Sequence, residues 1–350
     1  MNFLLYISYD YGFPIVQPLE EEILKRGHTV AWFLEFEESK KKLKSNQKIL
    51  NTVVEVIAYN PDAVLVASNE VPHFFPGIKV QLFHGFSVNK RSENKGHFRI
   101  RGFFDLYCTQ GPSTTNRFKE LEKKHKHFKV VETGWSKVDI LFPVNENNSN
   151  HTPTIFFAST FTERLSIAHD NQVFKELVKL IESENWNWII NLHPKMNSEI
   201  VKKFQELEKF ENVTYIPFLE NLEPLKRADV MLTDTSSIIT EFIIQKKPVI
   251  TFKNNQPKEC FINVLNVDDL KKSIEFALTY PTELMHKIAS FVKEEHPYAD
   301  GKSSKRVIDT VEEFVNENQK NQLKPKPFNI IRKLKIRKKF GFFNFFKNSL

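Results

Sequence analysis

The chain has 350 residues, 41% hydrophobic and 27% charged, the balance of a globular protein with room for two domains. Its two cysteines, Cys108 and Cys260, have neither zinc nor disulfide-framework spacing, which points to a reducing compartment. Residues 324–350 carry nine Lys or Arg and no acid, leaving 41 basic and 43 acidic residues in 1–323, so no nucleic-acid-binding face is expected on the folded body.

Strand and helix signals alternate from the start. Phe3–Ser8 reads as a strand, and Phe13–Arg26 as a helix ended by Gly27. Thr29–Leu34 is the next strand, and Ile49–Tyr59 a helix stopped before Pro61. Ala63–Ala67, Ile78–Phe83 and Phe104–Thr109 read as strands, Ser113–Lys124 as a helix and Val130–Thr133 as a strand. The polar stretch 142–150 reads as a linker. The pattern then restarts with strands at Thr154–Ala158, Trp188–Leu192, Val213–Ile216, Val230–Thr233 and Pro248–Phe252. Helices are expected at Gln172–Ser183 and Ser198–Lys209. Such alternation implies parallel sheets covered on both faces. The expected division is 1–141, a linker 142–153, 154–320 with a closing helix, and a tail 321–350. Met1–Ile7 lacks the charged start of a signal peptide, and no apolar run reaches the 18 residues of a membrane span.

Polar motifs fall where strands end. Val230–Thr233 is followed by Asp234, Thr235, Ser236 and Ser237, and then by Ile238, Ile239, Phe242 and Ile243 at helical spacing. Hydroxyls at a helix start either cap it or, with its free N–H groups, hold an anion such as phosphate. His84-Gly85-Phe86-Ser87 follows Val80–Phe83, and a histidine there either serves as a base near neutral pH or caps a turn. His193-Pro194-Lys195 repeats the pattern after Trp188–Leu192. The loop 89–101 holds Lys90, Arg91, Lys95, Arg99 and Arg101, either a phosphate cluster or solvated charge.

Two tandem α/β domains resemble the twin-Rossmann, GT-B-type glycosyltransferase architecture, in which two domains face a central cleft. The ordered motifs resemble the CDP-glycerol glycerophosphotransferase family, which builds teichoic acids. They are His84-Gly85, Gly134–Asp139, Ala158–Phe161, His193-Pro194, Thr233–Ser237 and Asp300–Arg306. Ser136 and Lys137 stand where the family has Pro and Arg, Ser159 where it has Pro, Thr235 where it has Tyr, and Glu241 where it has Asp. Lys137 keeps the charge but loses the bidentate fork.

The resemblance implies metal-independent and cofactor-free transfer of glycerol phosphate from CDP-glycerol to a hydroxyl, with release of CMP. His84 is the expected base. His193, Lys137, Ser236 and Ser237 are expected to stabilise the phosphates, and Gly85, Phe86, Ser87, Ser159, Thr160 and Thr235 to line the donor site. Glu241 is expected to meet donor hydroxyls. No Asp-x-Asp motif for a nucleotide-bound metal occurs. A nucleotide-sugar transferase or epimerase of this architecture, a ribitol-phosphate transferase and a catalytically dead binding protein are the alternatives.

Beyond Pro325 and Pro327, Ile330, Ile331, Leu334 and Ile336 interleave with cations, and phenylalanines follow. That pattern suits the interface of an anionic membrane, beside a lipid-linked acceptor on the inner face of a bacterial cell membrane. The alternatives are a disordered basic end or a helix packed on the body.

Overall fold

The computed structural model describes residues 1–86, 96–144, 151–217 and 222–343. The chain forms two compact units: residues 1–139 with 300–350, and residues 140–299.

The first unit opens with β1 (Asn2–Ile7), α1 (Phe13–Lys25), β2 (Thr29–Leu34), α2 (Glu37–Lys40), α3 (Val53–Tyr59) and β3 (Ala63–Val66). It continues with β4 (Ile78–Gln81), β5 (Leu106–Thr109), α4 (Pro112–His125) and β6 (Lys129–Glu132). All strand pairs are parallel, in the order β2-β1-β3-β4-β5-β6. Because helices cover both faces, β3, β4 and β5 are buried at every position. Gly27 closes α1 in the left-handed conformation, φ +75°. Helix α3 starts four residues later than expected. Thr52 caps it by accepting from the Glu55 N–H at 3.1 Å, while the Glu55 carboxylate accepts from the Asn51 N–H at 2.8 Å. Ile49 instead bridges to Trp32 of β2.

The second unit runs β7 (Thr154–Ser159), α5 (Asn171–Ser183), β8 (Asn187–Leu192), α6 (Ser198–Gln205), β9 (Val213–Tyr215), α7 (Glu223–Arg227) and β10 (Val230–Thr233). Then come α8 (Ile238–Ile243), β11 (Val249–Phe252), β12 (Ile262–Val264), α9 (Leu270–Leu278) and α10 (Thr282–Glu295). Its parallel sheet has the order β12-β11-β10-β7-β8-β9. Counted from its own first strand this is 6-5-4-1-2-3, the dinucleotide-fold order, whose direction reverses between β7 and β10.

The chain then returns to the first unit with α11 (Ser303–Asn316) and α12 (Ile330–Lys339). This corrects the expected boundary, which left the closing helix with residues 154–320. The cause is a set of polar clasps. The Asp139 carboxylate accepts from the N–H groups of Ser303 at 2.8 Å and Ser304 at 2.7 Å, at the open end of α11. Arg26 pairs with Asp309 at 2.8 Å and Glu312 at 2.7 Å. Arg306 donates to the Thr133 carbonyl and pairs with Asp300. Two motifs that carried the family resemblance, around Asp139 and Asp300, thus join α11 to its unit.

The tail does not separate from the body at its prolines. Lys326 pairs with Asp105 at 2.7 Å, and Ile336 is buried. Phe340 and Phe342 pack on Phe74, with ring centroids 6.2 and 4.7 Å away. The packed-helix alternative therefore describes residues 324–343. Phe328, Ile330, Ile331, Leu334 and Phe343 remain exposed. No helix among the described residues is long and apolar enough to cross a membrane.

Candidate active site

The strand reversal of the second unit places the ends of β7 and β10 side by side, and a buried carboxylate joins them. Asp234 is fully buried. It accepts from the Ser159 hydroxyl at 2.8 Å, the Thr160 N–H at 2.9 Å and the Ile167 N–H at 3.1 Å. Burial raises its pKa, and these hydrogen bonds pull it back. The Asn254 amide donates to the Asp234 carbonyl at 3.1 Å, tying in the loop after β11.

Ser159 was expected to face the donor. It is instead 3% exposed, and its hydroxyl is engaged by Asp234 and Ser166. Thr160 contributes its backbone N–H to the same knot. With Asp234 turned inward, Ser236 and Ser237 form the outer side of the turn. Ser237 occupies the N-cap of α8 with no side-chain capping bond, in helical rather than extended backbone. The Ser236 hydroxyl meets the Ile238 N–H only at 3.5 Å, a weak contact. The Thr235 hydroxyl is buried without a hydrogen-bond partner among the described residues. Capping therefore does not account for these three hydroxyls. Helix α8 has only six residues, so the turn's own hydroxyls rather than a long helix dipole are what it offers an anion. Glu241 sits half-buried on α8.

His193 follows β8, next to β7, and its N–H donates to the Ser159 carbonyl at 3.3 Å. The Lys195 N–H donates to its Nδ1 at 3.0 Å. An acceptor Nδ1 places the neutral ring's proton on Nε2, which becomes a donor. Partial burial and Lys195 both lower the His193 pKa, so the ring is neutral at pH 7. Phe161 lies against it, with centroids 4.5 Å apart.

In the first unit, His84 follows β4. Its Nδ1 lies 3.2 Å from the Ala67 carbonyl, which can only accept. The proton therefore sits on Nδ1, and Nε2 carries the lone pair of a base. Burial of the ring's inner face lowers the His84 pKa, the bond to Ala67 raises it, and Arg101 lowers it further. The side chain is nonetheless exposed, beside the Tyr11 ring at 5.2 Å.

A Cβ built on Gly85 would meet nothing within 4 Å among the described residues, so packing does not require glycine there. Phe86 is buried, edge-on to Trp135 at 4.9 Å. Lys137 extends over the other part of this stack, its Nζ 5.2 Å from the Trp135 ring centroid. Ser87, Lys90, Arg91 and Lys95 lie outside the described residues.

Sequence reasoning missed two features. Tyr9 and Tyr11 stack at 5.6 Å and stay 54% and 44% exposed at the end of β1. The signal was two tyrosines just past an apolar strand. Asp234 and Asn254 organise the turn, but nothing in the residues marks which member of Thr-Asp-Thr-Ser-Ser points inward.

Comparison with known proteins fits this architecture. Wall teichoic acid polymerase TagF, as a variant structure, superposes with a TM-score of 0.65 at 13% identity, covering 91% of this chain and 90% of that one. A TagF variant soaked with CDPG gives 0.60 at 14%, covering 91% and 89%. Staphylococcus aureus MnaA with UDP gives 0.59 at 16%, covering 90% and 97%. The two parallel six-stranded units are thus those of the GT-B fold. No curated protein matches the chain in sequence. The family model for UDP-N-acetylglucosamine 2-epimerase matches residues 106–312, more than half of the chain. By that match the chain belongs to the UDP-N-acetylglucosamine 2-epimerase family, and it shares its fold with the teichoic acid polymerase.

Proposed function

We propose that the protein transfers glycerol phosphate from CDP-glycerol to a hydroxyl of a lipid-linked glycan or polyol-phosphate acceptor, releasing CMP. The observation that carries this reading is the contrast between the Nδ1 partners of the two strand-end histidines, a carbonyl at His84 and a backbone N–H at His193. A phosphoryl transfer needs one group to accept the nucleophile's proton and others to hold negative charge.

His84 Nε2 takes the acceptor's proton. The acceptor oxygen bonds to the phosphorus that bears glycerol, and the bond from that phosphorus to the oxygen bridging to CMP breaks. CMP leaves with the electron pair. His193 Nε2–H and the hydroxyls of Ser236 and Ser237 donate to the diphosphate as its charge grows. Lys137 supplies a cation to the transferred phosphate, and Glu241 accepts from donor hydroxyls. The exposed Tyr9 and Tyr11 rings beside His84 offer the acceptor an aromatic platform.

One second reading has specific support. The family match over 106–312 and the likeness to a UDP-bound structure favour a UDP-sugar epimerase. A donor screen decides between them. Purified protein is supplied in turn with CDP-glycerol, CDP-ribitol and UDP-N-acetylglucosamine, with and without a lipid-linked acceptor. Acceptor-dependent CMP release from CDP-glycerol is expected. Turnover of UDP-N-acetylglucosamine alone would replace the transferase reading with the epimerase one.

A further inference from the structure

Parallel strands share one direction, so His84 leaves one edge of the first sheet while the residues entering β4, β5 and β6 gather at the other. A four-residue strand spans about 13 Å, which makes these two edges separate places. The entering edge holds a cavity of about 570 Å³. Lys79 at the start of β4, Asp105 before β5 and His127 before β6 line it. Its outer wall is the strap from Lys320 to Lys326, together with Lys333 of α12.

This wall is anchored. The Lys324 N–H donates to the Lys126 carbonyl at 2.8 Å. The Lys326 ammonium donates to the Phe103 carbonyl at 2.7 Å and pairs with Asp105. Gly102, at φ +72°, lies so close to Pro327 that a Cβ would come within 2.5 Å of its ring.

Charge in the cavity does not balance. Asp105 is the one carboxylate among the described lining residues. Its two oxygens are taken by Lys326 and by the Lys79 N–H at 2.7 Å. The Lys79 ammonium is spent on the carbonyls of Phe75 at 2.5 Å and Gly77 at 2.6 Å. Lys320, Lys324 and Lys333 have no carboxylate partner among the described residues. His127 is 5% exposed, and its Nε2 has no hydrogen-bond partner among the described residues. Buried polar atoms are ordinarily satisfied; crowded lysines suit phosphate oxygens, and the bare His127 Nε2 suits a phosphate hydroxyl, since the ring's other nitrogen bonds the His125 backbone.

We infer that this cavity binds the phosphate group of a phosphate ester, held by Lys320, Lys324, Lys333 and His127. Two sources share that chemistry: a free phosphate ester and a phospholipid headgroup. The same strap and helix leave Phe328, Ile330 and Ile331 exposed, which is where acyl chains would lie in the second case.

The test uses full-length protein and the triple variant Lys320→Ser/Lys324→Ser/Lys333→Ser. Each is titrated with glycerol 3-phosphate by calorimetry at constant ionic strength, and floated with phosphatidylglycerol or phosphatidylcholine vesicles. The Ser236→Ala/Ser237→Ala variant serves as a control that keeps this cavity intact and removes phosphate ligands of the other site. Saturable glycerol 3-phosphate binding, kept by that control and weakened tenfold or more in the triple variant, supports the cavity with a free ester as ligand. Flotation on phosphatidylglycerol alone, lost in the triple variant, supports it with a headgroup as ligand. A triple Lys→Arg variant retains either result. Wild-type protein that binds neither probe overturns the inference. So does a triple variant with wild-type circular dichroism and unchanged binding.

Discussion

His84 and His193 both follow an apolar parallel strand of their own sheet, His193 directly past β8 and His84 three residues past β4, each beside a small or rigid residue. Their chemistry differs because of one neighbour. A carbonyl beside His84 takes the Nδ1 proton and leaves Nε2 bare, whereas a backbone N–H beside His193 occupies Nδ1 and leaves the proton on Nε2. Both rings have lowered pKa values, so both enter physiological pH neutral. Two strand-end histidines thus present a bare nitrogen in one case and an N–H in the other, and the neighbouring backbone atom decides which; in the proposed transfer the first is the base and the second the donor.

Exchanging the roles should break the comparison most severely. His84→Gln should lower kcat by about 10²–10⁴-fold, the usual contribution of a general base, and leave CDP-glycerol affinity nearly unchanged. Its acid limb is also predicted. Because the His84 pKa is lowered, the wild-type rate should fall only below the ordinary imidazole value of about 6.5, and the limb should vanish in the variant. Steady-state CMP release from pH 5 to 8, with donor affinity by calorimetry, checks both.

The second comparison lies within the turn after β10, between its outward serines and its inward aspartate. Ser236→Ala/Ser237→Ala should cost about 1.5–3 kcal/mol of donor binding for each hydroxyl, because charge-assisted hydrogen bonds are lost. The melting temperature should hold, since neither hydroxyl makes a strong capping bond. Asp234→Ala should do the reverse in order of cause. It strands buried donors from Ser159, Thr160 and Ile167 and should cost about 3 kcal/mol of stability before binding is considered. Thermal melts beside donor titrations separate the two.

The smallest effect concerns stability at acid pH. Burial presses His97 down to about 4, with the His84 charge adding to it. The unfolded chain binds protons on this ring from about pH 6.5, while the folded chain does so only near 4. The unfolded state therefore holds more protons in that window, and stability falls as pH drops through it. His97→Phe should flatten part of that slope. Denaturant melts at pH 7, 6 and 5 measure it, and an unchanged slope would show that the imidazole contributes nothing.

Much of this architecture was legible because the signals are local. Thr29–Leu34 and Val230–Thr233 are bounded in the structure as their apolar runs predict. Gly27 stops α1 because only a residue at ease with positive φ suits that position. Helix α3 was misplaced because Ile49 satisfies a helical period and also bridges to β2, and the Thr52 cap settles the matter. The strands ending in His84, His193 and Thr233 could be read, so the candidate site could be placed. Which side chains turn inward could not. Ser159 and Asp234 are locked together across 75 residues, and no periodicity encodes that contact. The packing of the tail was hidden for the same reason. Its alternation of cations and apolar residues is shared by a membrane helix and by one that buries Ile336 on its own unit.

The most direct test of the central claim is the protonation of the two rings. Nitrogen-15 spectra of the imidazoles at pH 7.5, assigned with His84→Gln and His193→Gln, distinguish Nδ1–H from Nε2–H forms. His84 should be the Nδ1–H tautomer and His193 the Nε2–H tautomer, both neutral. The same tautomer on both rings, or a charged His84 at that pH, would contradict the division into base and donor.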